Sequence, residues 1–141
     1  MNRYKFRAWD KQVKKMARVI GLGWYETDSG VISRVNIEYS DGSHSGITKW
    51  GMDEIELMQF TGIQDFDKKE VFEGDILLNN LFGDLWECKF KVGLADNNRE
   101  YGRYVVELIG DGHTEDLCSV DGFTVVGNKY EHPHLLEQSH D

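Results

Sequence analysis

The sequence predicts a mainly β protein, either a small partly open barrel or two packed antiparallel sheets, with a short C-terminal helix. Three observations support this fold class. Apolar and polar residues alternate with a period of two along several short segments, as in half-buried strands. Fifteen glycines and one proline indicate that most turns use the backbone freedom of glycine. An Asp-Gly pair, Asp41-Gly42, lies between apolar runs and is a strong hairpin signal.

The N-terminal third predicts consecutive strands joined by turns. The first strand alternates basic residues with Tyr4, Phe6 and Ala8, which places the apolar side chains on one face. Gly21 and Gly23 are expected to end the second strand. Residues 43–51 give no clear pattern. In chain order we expect strand, turn, strand, strand and turn at Arg3–Trp9, Asp10–Lys14, Lys15–Ile20, Val31–Tyr39 and Asp41–Ser43.

The rest of the chain continues the strand pattern. Gly74 predicts a bulge or tight bend that a Cβ atom would forbid, and Pro133 predicts the first turn of a helix reaching Gln138. Further strands are expected at Glu54–Thr61, Val71–Phe72, Ile76–Leu78, Trp86–Val92, Tyr101–Ile109 and Phe123–Asn128. Connections are expected at Gly62–Lys69, Asp96–Asn98 and Asp111–Gly112.

Length and composition predict one soluble domain covering residues 1–141. No apolar run approaches the roughly 20 residues that span a bilayer, and the N-terminus lacks the apolar core of a signal peptide. Cys88 and Cys118 are far apart in the sequence, so we expect two reduced thiols rather than a disulfide or a metal site. The expected location is the cytoplasm of a host cell, without a membrane partner.

Charge is distributed unevenly along the chain. The net charge is −9, but residues 1–18 contain seven basic residues and one acidic residue, a net charge of +6. The remaining residues contain 9 basic and 24 acidic side chains, a net charge of −15. Such asymmetry favours attraction within and between subunits. The candidate interaction surface, called the basic surface below, consists of Arg3, Lys5, Arg7, Lys11, Lys14, Lys15 and Arg18.

Four sequence blocks distributed along the chain resemble a known family. They are K-F-R-A-W-D-K from Lys5, L-M-Q-F-T-G-I-Q-D from Leu57, D-K-K-E-V-F-E-G-D-I-L from Asp67 and V-V-G-N-K-Y-E-H-P-H-L-L-E from Val125. In this order they resemble the YopX family of phage and prophage proteins. The resemblance implies a β-rich fold, a phage or prophage origin and no assigned reaction. The last block departs from the family pattern, because histidines flank Pro133 where an Asn or Asp and an acid are expected.

Acidic residues of the central segment have two interpretations. Asp65, Asp67 and Glu70 carry oxygen ligands suited to Ca²⁺ or Mg²⁺. Their spacing does not match an EF-hand loop, so we favour an exposed acidic turn. Glu73 and Asp75 flank Gly74 and resemble an acid–base pair. On opposite faces of a strand they cannot converge, so we expect a structural role.

The patterns of histidine and serine residues also do not match a catalytic or metal site. His132 and His134 lack a third ligand, and His113 lies among the acids Asp111, Glu115 and Asp116. No serine lies in a G-x-S-x-G elbow, and no phosphate-binding glycine fingerprint is present. We therefore predict no catalytic residue, no metal and no cofactor. An unrecognised hydrolase or metal enzyme remains the third hypothesis.

The favoured hypothesis is a non-enzymatic protein-binding module that recognises an unknown phage or host protein and self-associates. The alternative is a nucleic-acid-associated regulator. Arg3, Lys5 and Arg7 interleave with aromatic residues, as on single-strand-binding surfaces. However, strand alternation places the cations and the aromatic side chains on opposite faces. The sequence pI near 5.0 also argues against a large electrostatic footprint for nucleic acid.

Overall fold

The computed structural model describes residues 5–27, 30–44, 46–50, 53–94, 100–117 and 122–137. Contacts divide the chain into two compact units, residues 1–59 and 60–141, called unit 1 and unit 2 below. Antiparallel strands dominate both units, so the prediction of a mainly β protein is confirmed. The described strands form two antiparallel sheets and no closed barrel.

Unit 1 is an antiparallel sheet in the order β4-β3-β2-β1-β5, and β5 continues into unit 2. Its strands are β1 (Phe6–Asp10), β2 (Lys15–Thr27), β3 (Gly30–Tyr39), β4 (Ile47–Trp50) and β5 (Ile55–Gln64). Ala8 of β1 is opposite Ala17 of β2 and Leu57 of β5. Directly paired residues share a face, and this register therefore builds the apolar face of the unit.

Unit 2 contains a second antiparallel sheet in the order β10-β9-β8-β7-β11, while β6 pairs with the end of β5. Its strands are β6 (Glu70–Phe72), β7 (Asp75–Asn79), β8 (Leu85–Leu94), β9 (Glu100–Leu108), β10 (Thr114–Asp116) and β11 (Phe123–Asn128). The C-terminal helix expected from Pro133 is present as a 3₁₀ helix, Pro133–Glu137. Within the described segments, no helix is long and apolar enough to span a membrane.

Each unit has its own apolar core. Full burial of a medium-sized apolar side chain stabilises a fold by roughly 1.5–3 kcal/mol, so these clusters are the main source of stability. The core of unit 1 consists of Ala8, Ala17, Val35, Ile37, Tyr39 and Ile55. The core of unit 2 consists of Val71, Leu77, Trp86, Cys88, Val106, Leu117, Phe123 and Val125. Cys88 is a buried free thiol, whereas Cys118 lies outside the described residues.

The predicted end of β2 at its glycines was wrong, because the strand continues to Thr27. A register shift between Val19 and Gly21 forms a bulge. A Cβ atom on Gly21 would lie 3.1 Å from the Asn36 side chain, and one on Gly23 would lie 3.0 Å from the Arg34 side chain. The glycines therefore allow side chains of β3 to approach closely, which is a usual role of glycine inside a strand.

Other boundaries also differ from expectation. Strand β4 lies in the segment that gave no pattern, and β5 extends through Gly62, which has a φ of +85°. Its pairing with β6 shifts register between Phe60 and Gln64, as at a bulge. The turn expected at Asp96–Asn98 lies outside the described residues. Gly74 is confirmed as a tight bend, with a φ of +83° that an L-residue rarely adopts.

Phe90 is 47% exposed, which is more than its alternation with the buried Cys88 predicts. Its ring covers Gly102 on β9, where a Cβ atom would come within 2.0 Å of the ring. The ring also contacts Tyr104 edge to face, with centroids 5.1 Å apart. An aromatic ring over a strand glycine compensates for the missing side chain, so Phe90 stabilises the β8–β9 pair from the surface.

Candidate functional site

The basic surface lies among acidic side chains of unit 1. Lys11 pairs with Glu56 of β5 at 3.0 Å, Lys15 with Asp41 at 3.1 Å and Arg18 with Glu38 of β3 at 2.8 Å. The Arg7 guanidinium donates to the Met58 Sδ atom at 3.4 Å. Lys14 is exposed in the β1–β2 turn, Lys5 is half-buried and Arg3 lies outside the described residues.

The two units divide the charge differently from the split between residues 1–18 and the rest of the chain. Residues 1–59 contain 9 basic and 8 acidic side chains, a net charge of +1 for unit 1. Residues 60–141 contain 7 basic and 17 acidic side chains, a net charge of −10 for unit 2. The positive excess of the first strands is therefore balanced within its own unit, and the acidic excess of the protein belongs to unit 2.

Asp10 is a buried charged residue that the sequence analysis placed in a turn. Its side chain is fully buried at the end of β1. The Oδ1 atom accepts hydrogen bonds from the amides of Gln12 and Val13. The Oδ2 atom accepts from the Tyr39 hydroxyl at 2.8 Å and pairs with the Lys49 ammonium at 3.0 Å. One carboxylate therefore joins the β1–β2 turn to β3 and β4.

The surroundings of this carboxylate shift the pKa of two groups. Burial alone raises the pKa of Asp10, but hydrogen bonds from Tyr39, Lys49 and the turn amides outweigh burial and hold the pKa below its usual range. Burial and the hydrogen bond to Asp10 raise the pKa of Tyr39 to about 12. A lowered pKa and satisfied oxygens describe a structural carboxylate rather than a general base.

Asp65, expected in an exposed acidic turn, is half-buried and performs two structural tasks. Its Oδ1 atom accepts hydrogen bonds from the amides of Asp67 and Lys69, which closes the β5–β6 turn. Its Oδ2 atom accepts from the amide of Val125 at 2.9 Å, which satisfies an N–H group of the edge strand β11. Asp67 itself is exposed, as expected. The described residues contain no group of three His, Cys, Asp or Glu side chains placed to hold a metal.

The histidines singled out from the sequence also have local partners. The His132 Nδ1 atom accepts a hydrogen bond from the amide of Asn128 at 3.2 Å. His134 is exposed, and its ring centroid is 6.2 Å from that of His132. His113 lies 3.3 Å from a Glu115 oxygen and contacts the Trp86 ring edge to face. The contact of His132 lies at the end of β11, and the contacts of His113 are with residues of β8 and β10.

Three large apolar side chains at turns of unit 2 are almost fully exposed. Phe66 in the β5–β6 turn is 73% exposed, and Leu81 and Phe82 in the β7–β8 turn are 81% and 77% exposed. The sequence predicts an exposed acidic turn at the first position and gives no role to the second turn. These three residues are called the turn-tip surface below. An exposed group of large apolar residues is a signal of interaction because single-domain proteins normally bury such side chains.

Hydrogen bonds fix both turns to the start of β11. The amide of Phe66 donates to the Phe123 carbonyl at 2.9 Å, and the amide of Asn80 donates to the Gly122 carbonyl at 3.0 Å. The Asn79 side chain closes the second turn by accepting from the amides of Leu81 and Phe82. The exposed side chains are therefore held by bonded backbone, which reduces the entropy lost when a partner binds.

A shallow groove of about 400 Å³ lies beside the second turn and is lined by residues 79–82 together with Gly122 and Phe123.

The model of the family described as YopX protein matches residues 5–137. The chain belongs to this family. The expectation drawn from the YopX-like sequence blocks is thereby confirmed. No protein of curated function matches this YopX chain.

A solved structure supports the fold of this YopX protein. A crystal structure of protein EF1440 from Enterococcus faecalis is 26% identical, with a TM-score of 0.52 over 94% of this chain and 96% of that one. The SAWADEE domain of SHH1 from Arabidopsis thaliana is 15% identical, with a TM-score of 0.26 over 81% and 91% of the two chains. The second similarity is too low to support any argument.

The buried carboxylate predicts how stability depends on pH. Because folding lowers the pKa of Asp10 below the usual value of 3.8, its contribution is complete above about pH 4 and is lost as the pH falls through the folded pKa. Asp10→Asn should reduce the free energy of unfolding at pH 7 by about 3 kcal/mol, since Lys49 loses its buried partner. It should also flatten the loss of stability below pH 4.

Urea unfolding at several pH values checks this prediction. Asp67→Asn is the matched control, because Asp67 is exposed in a turn and should change stability by less than about 0.5 kcal/mol. An Asp10→Asn protein with the stability and acid profile of the wild type would show that the Asp10 network does not support unit 1.

Proposed function

We propose that this YopX protein is a non-enzymatic protein-binding module of phage or prophage origin, and that it binds its partner through the turn-tip surface of unit 2. The observation that carries the proposal is the exposure of Phe66, Leu81 and Phe82 on turns fixed by hydrogen bonds. Aromatic residues contribute strongly to binding energy at protein interfaces. The phage origin rests on the family resemblance and is part of the proposal.

The size of the surface indicates what kind of interface it supports. At about 150 Å² for each fully exposed side chain and with the exposed fractions given above, the three residues present roughly 350 Å² of apolar surface. A standard protein–protein interface buries about 800 Å² on each partner. The turn-tip surface therefore suits the apolar centre of an interface whose rim comes from neighbouring polar residues of unit 2.

Charge supports a basic partner. Unit 2 has a net charge of −10, so it attracts positively charged proteins and repels nucleic acid. The cations that would favour a nucleic-acid role are paired with acids of unit 1 at Lys11, Lys15 and Arg18. A basic protein with an apolar anchor is the partner that this combination of charge and exposed surface favours.

Substitution of the turn-tip surface tests the proposal. A variant with Phe66→Ser, Leu81→Ser and Phe82→Ser should bind its partner at least about 30-fold more weakly, since loss of an interface centre costs about 2 kcal/mol or more. Its urea midpoint should change little, because the substituted side chains are exposed. The measurement is quantitative affinity purification from a lysate of the native cells, followed by titration of the recovered protein.

Ile20→Ser is the control, since Ile20 is an apolar residue of unit 1 that is 52% exposed. Retention of the recovered protein by the control and its loss by the turn-tip variant would support the proposal. Equal retention by both variants would contradict it, and so would failure of the wild type to recover any protein above the level of bare resin.

Self-association through the basic surface is a separate part of the proposal. A self-associating chain should sediment with a mass above 16.3 kDa that falls when Arg3, Lys5 and Arg7 are reversed in charge. The charge reversals remove attraction between copies, so added salt should lower the mass of the wild type as well. Analytical ultracentrifugation measures this mass, and a monomer that is insensitive to salt would contradict self-association.

A further inference from the structure

Beyond the turn-tip surface, unit 2 contains a small cleft that is lined by a largely buried glutamate with no ion-pair partner among the described residues. The cleft has a volume of about 200 Å³ and is lined by Glu73, Gly74 and Lys129 together with the β8 residues 87–90. Small-molecule sites usually measure about 300–1,000 Å³. At about 30 Å³ for each water, this cleft holds roughly seven waters, so its size suits a single side chain.

Glu87 is the residue that makes this cleft unusual. It is only 9% exposed, and its carboxylate forms no hydrogen bond or ion pair with the described part of the chain. A carboxylate without a paired cation gains charge-assisted hydrogen bonds when a positively charged group approaches it. Glu87 lines the cleft, so a ligand that enters can supply this charge.

The neighbouring lysines of β8 are committed elsewhere. Glu107 lies directly opposite Glu87 on β9, and it pairs with both Lys89 at 3.0 Å and Lys91 at 3.3 Å. The hydrogen bond from Lys89 lowers the pKa of Glu107 against the effect of burial. Two cations therefore pair with Glu107, whereas Glu87 pairs with no cation among the residues that the structure describes. Lys129 lies over the Tyr130 ring, 5.2 Å from its centroid.

We propose that the Glu87 cleft receives a basic side chain, arginine or lysine, from the protein partner. This inference rests on the proposed protein-binding function and defines the chemistry of the partner. A guanidinium or ammonium group supplies charge-assisted hydrogen bonds to a carboxylate, and the net charge of −10 on unit 2 attracts such a group. The turn-tip surface then supplies apolar contact, and the cleft selects for positive charge.

Small probes test the cleft independently of the turn-tip surface. ¹⁵N chemical shifts of the full chain are recorded during titration with the N-acetyl methylamides of arginine, lysine and citrulline. Citrulline is the neutral counterpart of arginine. We expect saturable shifts at the amides of Gly74, Glu87 and Lys89 with the arginine or lysine probe and none with citrulline. Equal shifts with citrulline, or no saturable shift with either basic probe, would overturn the proposal.

Glu87→Gln is the decisive variant, since it keeps the shape of the side chain and removes the charge. It should weaken binding of the basic probe at least 10-fold and leave the urea midpoint close to that of the wild type, because no ion pair of the described residues is removed. Glu56→Gln, on β5 in unit 1, is the control and should bind the probe normally. Unchanged binding by Glu87→Gln would exclude Glu87 as the acceptor.

The two proposals fail in distinguishable ways. If the basic probes do not bind but the turn-tip variant still loses a cellular partner, only the cleft is excluded. If the probes bind through Glu87 and no cellular partner depends on the turn-tip surface, the protein-binding proposal fails at that surface and the cleft remains.

Discussion

Side-chain oxygens of aspartate and asparagine satisfy the backbone amides at the turns of both units. Asp10 closes the β1–β2 turn, Asp65 the β5–β6 turn and Asn79 the β7–β8 turn, each by accepting two backbone N–H groups. Asp75 and Asn128 accept similar bonds at the ends of β7 and β11. Short strands leave many amides without ladder partners, and buried amides without partners are costly. The sheets therefore depend on these side chains.

The same bonds connect the fold to its surfaces. Asp65 closes a turn and also covers an amide of the edge strand β11, which protects that edge from pairing with another chain. Because backbone amides of the β5–β6 turn donate hydrogen bonds to Asp65, this turn can expose Phe66 and still keep one conformation. Asp10 anchors unit 1 internally, where the basic side chains find acidic partners. Binding of the protein partner is therefore proposed for unit 2, where the exposed apolar turn tips, the cleft lined by Glu87 and the excess negative charge occur together.

Local sequence patterns predicted the strands, because period-two alternation such as Val35, Ile37 and Tyr39 depends only on neighbouring residues. They did not predict that β2 continues through Gly23. The Arg34 side chain on β3 needs the space that this glycine leaves, and a local pattern does not show a contact with another strand. Asp65 looked like a solvated acid because Val125 is 60 residues away. The turn-tip surface was missed because a sequence does not reveal which apolar side chains lack a packing partner. Its one available signal was the run Leu81-Phe82 between Asn80 and Gly83.

Amide hydrogen exchange at Val125 tests most directly whether Asp65 holds the edge of unit 2. In the wild type, this amide should exchange as slowly as amides in the central strand β8, because the Asp65 carboxylate accepts its hydrogen bond. Asp65→Ala should bring its exchange close to that of an unprotected amide while β8 remains protected. Rapid exchange of Val125 in the wild type, or protection unchanged by Asp65→Ala, would contradict the dependence of the fold on these side-chain oxygens.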